Sequence, residues 1–337
     1  MARVLVMSLG DRDRHDTGPG HPERPARISA VLQGIDDAHL GDSLASRTAR
    51  EADRGELGRV HDLRYVDALE RFAAAGGGHL DPDTPVSAGS FTTAVLAAGA
   101  GLTAIDALSN GEAESAFVAV RPPGHHATRR RGQGFCLLNN VAIAGAALAA
   151  RGERVVIVDW DVHHGNGTQD IFWDDPRVLY VSTHQSPAYP GTGLATETGG
   201  PGAPGCTINF PLPPGATGDV ALSALDAVAP VVARFSPTWV LISAGFDAHR
   251  DDPLAALAWS AGDYGLLTER VAAFAPGPGR LVAFLEGGYE LDALRRSVTA
   301  TVSAMANTTV ATEPPTSGGP GHDVVTRVAR ELPVSPA

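Results

Sequence analysis

The sequence predicts an α/β domain in which helices cover both faces of a mainly parallel sheet. Three observations lead there. Short, continuously apolar runs recur at 4–7, 116–120, 155–158, 178–181, 207–210, 239–242 and 281–285, and runs that are apolar throughout rather than in alternation belong to strands buried on both faces. Between several of them lie Ala- and Leu-rich stretches of helical length, at 91–108, 141–150, 220–235 and 264–274, so the order reads strand, helix, strand. Finally, 337 residues with 43% hydrophobic content can bury one large core, and no long linker divides the chain.

Taken in order, the elements share one feature: most strands run into a polar cluster. The run at 4–7 follows Met1-Ala2-Arg3 directly, without the roughly 7–15-residue apolar core of a signal peptide, so a cytoplasmic location is the expectation. The strand at 116–120 leads into Arg121-Pro122-Pro123-Gly124-His125-His126, and that at 155–158 into Asp159-Trp160-Asp161-Val162-His163-His164-Gly165-Asn166-Gly167. Ser182-Thr183-His184 follows 178–181, Ser243-Ala244-Gly245-Phe246-Asp247 follows 239–242, and Glu286-Gly287-Gly288-Tyr289 follows 281–285. Ligands of open parallel sheets bind beyond the carboxyl ends of the strands, so five clusters converge on one edge. From Glu313 onward the chain is turn-forming and then weakly helical.

Composition narrows the partners. A formal charge of −12 argues against a general nucleic-acid or anionic-membrane surface. No uninterrupted apolar stretch approaches the ~20 residues that span a bilayer. Cys136 and Cys206 are too few for a disulfide framework. A small molecule or peptide is the expected partner, and association into a homo-oligomer is left open.

The spacing of Asp161 and His163 carries the chemistry. Side chains of an extended segment alternate sides, so this pair points one way while Val162 points into the packing. Brought alongside by the sheet, Asp247 completes a set of two carboxylates and one imidazole, which leaves a position open for water or substrate as catalytic zinc requires.

These motifs, with Gly134-Phe135-Cys136, Ala244-Gly245-Phe246-Asp247 and Gly287-Gly288-Tyr289, resemble the zinc-dependent deacetylase family of histone deacetylases, acetylpolyamine amidohydrolases and acetoin-utilisation proteins. The likeness runs from about His15 to about Met305. His21-Pro22-Glu23-Arg24-Pro25-Ala26-Arg27 and His163-His164-Gly165-Asn166-Gly167-Thr168-Gln169 are most similar to the class II and bacterial histone deacetylase-like amidohydrolase branch. The resemblance implies a single-domain arginase-deacetylase-like fold with its active site at the strand C-terminal ends. It would place a zinc-dependent deacetylase domain at 1–312 and a surface-packed or partly flexible tail at 313–337.

By the same resemblance Asp161, His163 and Asp247 bind one zinc ion, His125 and His126 sit over the attacking water, and Tyr289 reaches the substrate carbonyl. Asp159 orients His125 and Asn166 orients His126. A carboxylate partner holds His125 toward its charged form, whereas an amide leaves His126 free to titrate near neutral pH and to act as general base. Gly134, Phe135 and Tyr189 resemble the walls of an acyl-lysine tunnel, Asp83 (with Asp81 two residues away) a rim acid, and Leu254 the gate position that is acidic in some polyamine-selective relatives. Arg27 is either a channel residue or a salt-bridge partner of Glu23. Asp159, Asp161, His163, Ser182 and Thr183 resemble the surroundings of a structural monovalent cation, usually potassium. Glu290 departs from the Asn or Asp usual after the tyrosine, and Arg129-Arg130-Arg131 reads as a rim or a solvated loop.

Arginase-like enzymes need two metals, but Gly165 and His249 stand where their extra carboxylates would be, so one zinc is expected. Three activities fit: an amidohydrolase of acetyl-lysine or similar N-acyl amines, an acetylpolyamine amidohydrolase, and a catalytically silent acyl-lysine binding module.

Overall fold

The computed structural model describes residues 1–310 and 312–333, so the last four residues of the expected tail lie outside the described residues. Its eight-stranded sheet is parallel throughout. In chain order the first half holds β1 (Val4–Ser8), α1 (Ala26–Asp37), β2 (Leu44–Thr48), α2 (Arg54–Gly58), α3 (Leu63–Ala74), a small ribbon of β3 (Gly78–His79) and β4 (Pro85–Val86), α4 (Ser90–Ser109), β5 (Ser115–Ala119) and α5 (Asn140–Ala150). The second half holds β6 (Val155–Asp159), α6 (Asn166–Phe172), β7 (Val178–Gln185), β8 (Thr207–Leu212), α7 (Gly218–Phe235), β9 (Trp239–Ala244), α8 (Ala261–Ala272), β10 (Leu281–Leu285), α9 (Leu291–Met305) and α10 (His322–Glu331). The sheet order is β2-β1-β5-β10-β9-β6-β7-β8.

Alternation along each strand divides the core in two. Val156 and Val158 of β6 pack on one face with α1, α7, α8, α9 and α10. Val155 and Ile157 pack on the other with α2 to α6. Burying each such side chain contributes on the order of 1.5–3 kcal/mol, so the strand ends are held on a stiff frame. β2 escapes the sequence reading because Leu-Ala-Ser-Arg-Thr is an edge strand with three exposed residues and no apolar run.

α4 is 20 residues long and, by length and composition, apolar enough to cross a bilayer. Its scattered Ser, Thr and Asp interrupt the apolar run and hide that in the sequence. In the fold 78% of its most apolar window is buried within the protein. Glycine permits the close approach: a Cβ at Gly99 would meet the Arg50 carbonyl oxygen at 1.9 Å.

The tail lies against the domain. Val324, Val325 and Val328 of α10 join the core beside α7 and β8, while the Thr316 amide donates to Asp263 Oδ1 at 3.0 Å and the Gly319 amide to Thr217 Oγ1 at 2.8 Å.

Neutral histidines hold loops on this frame. His61 Nδ1 donates to the Thr128 carbonyl at 2.9 Å and Nε2 accepts the Asn139 amide at 2.9 Å, so the ring is fixed in its neutral form. Burial pushes its pKa down to about 4, and burial does the same for His15, also to about 4. Because both folded values lie below the ordinary 6.5, their stabilisation is complete above pH 6.5 and is lost as pH falls toward 4. The melting temperature is therefore expected to drop between pH 6.5 and 4. His61→Gln, whose amide can make the same two bonds without titrating, flattens that drop in thermal melts across pH; an unchanged slope would remove His61 from the account.

Candidate metal centre and active site

β5, β10, β9 and β6 are consecutive neighbours at the centre of the sheet, and each apolar run ends on the polar residues that build the site. Asp159 closes β6, paired in register with Ser182 of β7 and Ser243 of β9. The chain then turns on its own carboxylates: the Asp161 amide donates to Asp159 Oδ1 at 3.2 Å and the His163 amide to Asp161 Oδ1 at 2.9 Å. From β9, Asp247 Oδ1 accepts the Val162 amide at 3.0 Å and ties the two strand ends together.

Asp161, His163 and Asp247 meet. Their ligand atoms lie within 4.8 Å of one another, with His163 Nδ1 3.2 Å from Asp161 Oδ1 and 3.1 Å from Asp247 Oδ2. Space for the carboxylates is made by glycines: a Cβ at Gly287 would fall 2.1 Å from Asp247 Oδ2, and one at Gly245 would fall 2.0 Å from Asp161 Oδ2. Electrostatics point the same way. Burial and the Asp161 charge raise the Asp247 pKa. Burial opposes ionisation of Asp161 too, but His125 and His163 hold it well below the usual range. Burial opposes a charge on His163, yet hydrogen bonds to Asp161 and Asp247 lift it to about 10. Two buried carboxylates thus draw positive charge to one point, and a divalent cation with oxygen and nitrogen ligands fits there.

A second cluster, His249 with Asp251 and Glu313, exists among the described residues. There the carboxylates already face guanidinium groups, with Arg250 and Arg296 each 3.3 Å from Glu313 Oε1 and Arg296 also 3.3 Å from Asp251 Oδ2. His249 turns away from Asp247 toward Glu313, 2.9 Å from its Oε2. No second metal set joins Asp161, His163 and Asp247 among the described residues.

The paired histidines have unlike partners. His125 Nδ1 donates to Asp159 Oδ2 at 3.1 Å, and Tyr180 Oη donates to the same oxygen at 3.0 Å. Against the effect of burial, Asp159 and then Asp161 raise His125 to about 10. His126 Nδ1 donates to Asn166 Oδ1 at 2.8 Å, which leaves Nε2 with the free lone pair. Burial, then the positive charges of His125 and His163, push His126 well below its ordinary value. This corrects the near-neutral titration expected from sequence, which has no measure of burial. At neutral pH His126 is an uncharged base.

One cavity of about 210 Å³ is lined by Asp83, His126, Gly134, Phe135, His163, Tyr189, Leu254 and Tyr289. The Phe135 ring lies edge-on to Tyr289 at 5.7 Å, and Tyr189 edge-on to His126 at 5.0 Å. Gly134 has no room for a side chain, since a Cβ would sit 2.6 Å from His126 and 2.9 Å from Tyr189. Asp81 does not line the cavity; its Oδ1 accepts the Asp83 amide at 3.2 Å. Ser182 Oγ and His184 Nδ1 are 2.9 Å apart, and Thr183 is buried beside them. Arg129, Arg130 and Arg131 are exposed.

Several residues escaped the sequence reading. Glu286 Oε2 accepts the Gly124 amide at 2.6 Å and the His125 amide at 3.2 Å, so it holds the segment that presents the histidine pair. Asp252 Oδ2 accepts the Tyr289 and Glu290 amides at 2.7 and 3.2 Å. Their place, directly after β10 and in the loop beyond Asp247, was the available signal; which amide each carboxylate caps is set by neighbouring strands. Arg27 proves to do two things, pairing with Glu23 at 3.3 Å and donating to the Gly288 carbonyl at 2.6 Å beneath the Tyr289 ring. Glu290 caps α9 by accepting the Ala293 amide at 2.5 Å.

Comparison with known proteins agrees with this geometry. The histone deacetylase domain profile matches residues 21–305. A probable deacetylase of Archaeoglobus fulgidus is 42% identical over 300 residues, covering 87% of this chain and 83% of that protein. A histone deacetylase-like amidohydrolase of Pseudomonas aeruginosa is 37% identical over 292 residues, covering 85% and 77%. The crystal structure of the HDA15 HD domain superposes with a TM-score of 0.86 at 34% identity, covering 98% of this chain and 94% of that one, so the fold is the arginase-deacetylase fold. The chain belongs to the histone deacetylase family and is a hydrolase of amide bonds.

Proposed function

We propose that the chain removes an acetyl or other short acyl group from N-acyl amines of the acetyl-lysine class, with zinc held by Asp161, His163 and Asp247. One observation carries the reading: a single cavity brings His163 of a buried two-carboxylate, one-imidazole set together with an uncharged imidazole, His126, and a phenol, Tyr289. When bound, zinc would supply a Lewis acid for the amide carbonyl and bring a water toward a pKa of ~7.

The chain's own groups do the rest. His126 Nε2 takes the proton of the attacking water, since Nδ1 is engaged by Asn166, and returns it to the leaving nitrogen. Tyr289 stays protonated because burial raises its pKa well above the ordinary value, so its hydroxyl donates to the carbonyl oxygen as negative charge grows there. His125, held charged by Asp159, adds positive charge on the side of the attacking water without moving a proton. Phe135 and Tyr189 enclose the acyl-lysine methylenes and keep water out, and Asp83 accepts a substrate amide at the rim. Acetate and a free amine leave. The Asp159 and Ser182 side chains, with the carbonyls of Asp161, His163 and Thr183, would hold a potassium ion as part of the same proposal. The register pairing of Asp159 with Ser182 supports it.

Asp83 favours a second reading, an acetylpolyamine amidohydrolase, because its carboxylate lines the cavity and can pair with a distal ammonium. Leu254, 41% exposed at the same mouth, weighs against a polycation. Acetyl-lysine peptides assayed beside acetylated putrescine and spermidine separate the two.

Metal analysis of the zinc-loaded protein should find one catalytic zinc per chain and little or none in Asp247→Ala; two tightly bound ions, or an Asp247→Ala protein that keeps its zinc, would contradict the ligand set. Tyr289→Phe and His126→Ala should each lower kcat by at least about a hundredfold with zinc content and melting temperature retained. Near-wild-type turnover in either variant removes that residue from the mechanism. Leu254→Glu should move the ratio of specificity constants toward acetylpolyamines by only a few-fold, since an exposed ion pair is worth ~0–1 kcal/mol. A ratio that stays fixed or moves the other way shows that Leu254 is not the gate.

A further inference from the structure

The phenol that lines the cavity is only as well placed as its backbone, and buried amides must find acceptors. The Tyr289 and Glu290 amides find Asp252 Oδ2 at 2.7 and 3.2 Å, while Asp252 Oδ1 accepts the Leu254 amide at 3.0 Å. One carboxylate therefore joins the loop that follows Asp247 to the loop that carries Tyr289. That carboxylate is buried and does not line the cavity.

The loop is in turn held from outside the sheet. The Asp252 amide donates to the His249 carbonyl at 2.9 Å, so both belong to one turn. The buried His249 ring accepts the Asp251 amide at Nδ1 (3.1 Å), and Nε2 therefore carries the proton donated to Glu313 Oε2 at 2.9 Å. Glu313 belongs to the segment that leads to α10, and its Oε2 also accepts the Ala261 amide at the start of α8. Arg250 and Arg296 neutralise its other oxygen.

We propose that Asp252 is a positioning residue for Tyr289, and that Glu313 latches the Asp252 loop through His249, so that the C-terminal strap takes part in setting the active site. This rests on the reading of Tyr289 as the donor to the substrate carbonyl. A carboxylate that receives three amides from fixed directions pins the Tyr289 backbone, and a misplacement of about 1 Å at a reacting group can cost on the order of a hundredfold in rate. Asp252→Asn keeps the shape but turns an NH₂ toward donors; Glu313→Gln weakens the latch at a half-buried position.

The test is a double-mutant cycle on the zinc-loaded full chain with an acetyl-lysine peptide, combined with hydrogen exchange of residues 286–291. Asp252→Asn should lower kcat at least about thirtyfold with KM and zinc content within about twofold of wild type, and Glu313→Gln should lower kcat about three- to tenfold. In a Tyr289→Phe background the Asp252→Asn loss should shrink to less than about twofold, because both changes remove the same contact. Exchange of the 287–290 amides should quicken in both single variants. Losses that multiply in full on Tyr289→Phe, a loss carried by KM or zinc content, or unaltered exchange would overturn the proposal. A wild-type protein inactive on every N-acyl amine, with exchange still faster in the variants, would sink the catalytic reading and leave the latch standing.

Discussion

Asp161 and Asp247 are buried side by side at the ends of neighbouring strands, and the rest of the site answers to that concentration of negative charge. Like charges removed from water repel strongly and are tolerated only with cations and well-placed donors around them. Here the donors are main-chain amides: Val162 to Asp247, and His163 and Gly287 to Asp161. The cations are imidazolium rings, His163 between the two carboxylates and His125 between Asp159 and Asp161. A divalent ion meets the same demand more completely.

From this constraint follows the asymmetry of the histidine pair. His125 is drawn into the negative field and becomes part of it, while His126, one residue on, is directed to the amide of Asn166 and feels chiefly burial and its charged neighbours. Two identical side chains, with ring centroids 4.0 Å apart, thereby hold different protonation states at one pH. That division lets one serve as a fixed charge and the other as a base. Glycine is the remaining structural requirement, for at Gly165, Gly245 and Gly287 a single methyl group would collide with the carboxylates.

Outside that centre the fold spends long-range contacts on holding loops still. Glu286 secures the His125-His126 segment, Arg27 and Asp252 secure the Tyr289 segment, and His61 secures the turn after the histidines. Each of these side chains is buried. Parallel sheets place their site on loops, and rigid scaffolds with pinned loops are what catalysis on loops requires.

The sequence by itself determined the alternation of strand and helix, because continuous apolar runs and helical stretches are local patterns. It also marked Asp161, His163 and Asp247 as a candidate metal set, because Asp161 and His163 stand two residues apart after one apolar run and Asp247 follows another. The polar edge strand β2 was not legible, since it is set by its pairing with β1 rather than by its own pattern, whereas α4 was legible as a helix at 91–108 and only its burial awaited the fold. Only the tertiary structure decided which distant groups meet: Glu286 with an amide 162 residues away, Asp252 with one 37 away, and Glu313 with a ring 64 away. Those partnerships, and the lowered pKa of His126, follow from the order β5-β10-β9-β6 and from burial. Both are products of packing over the whole chain, and residue spacing along it carries no direct record of either.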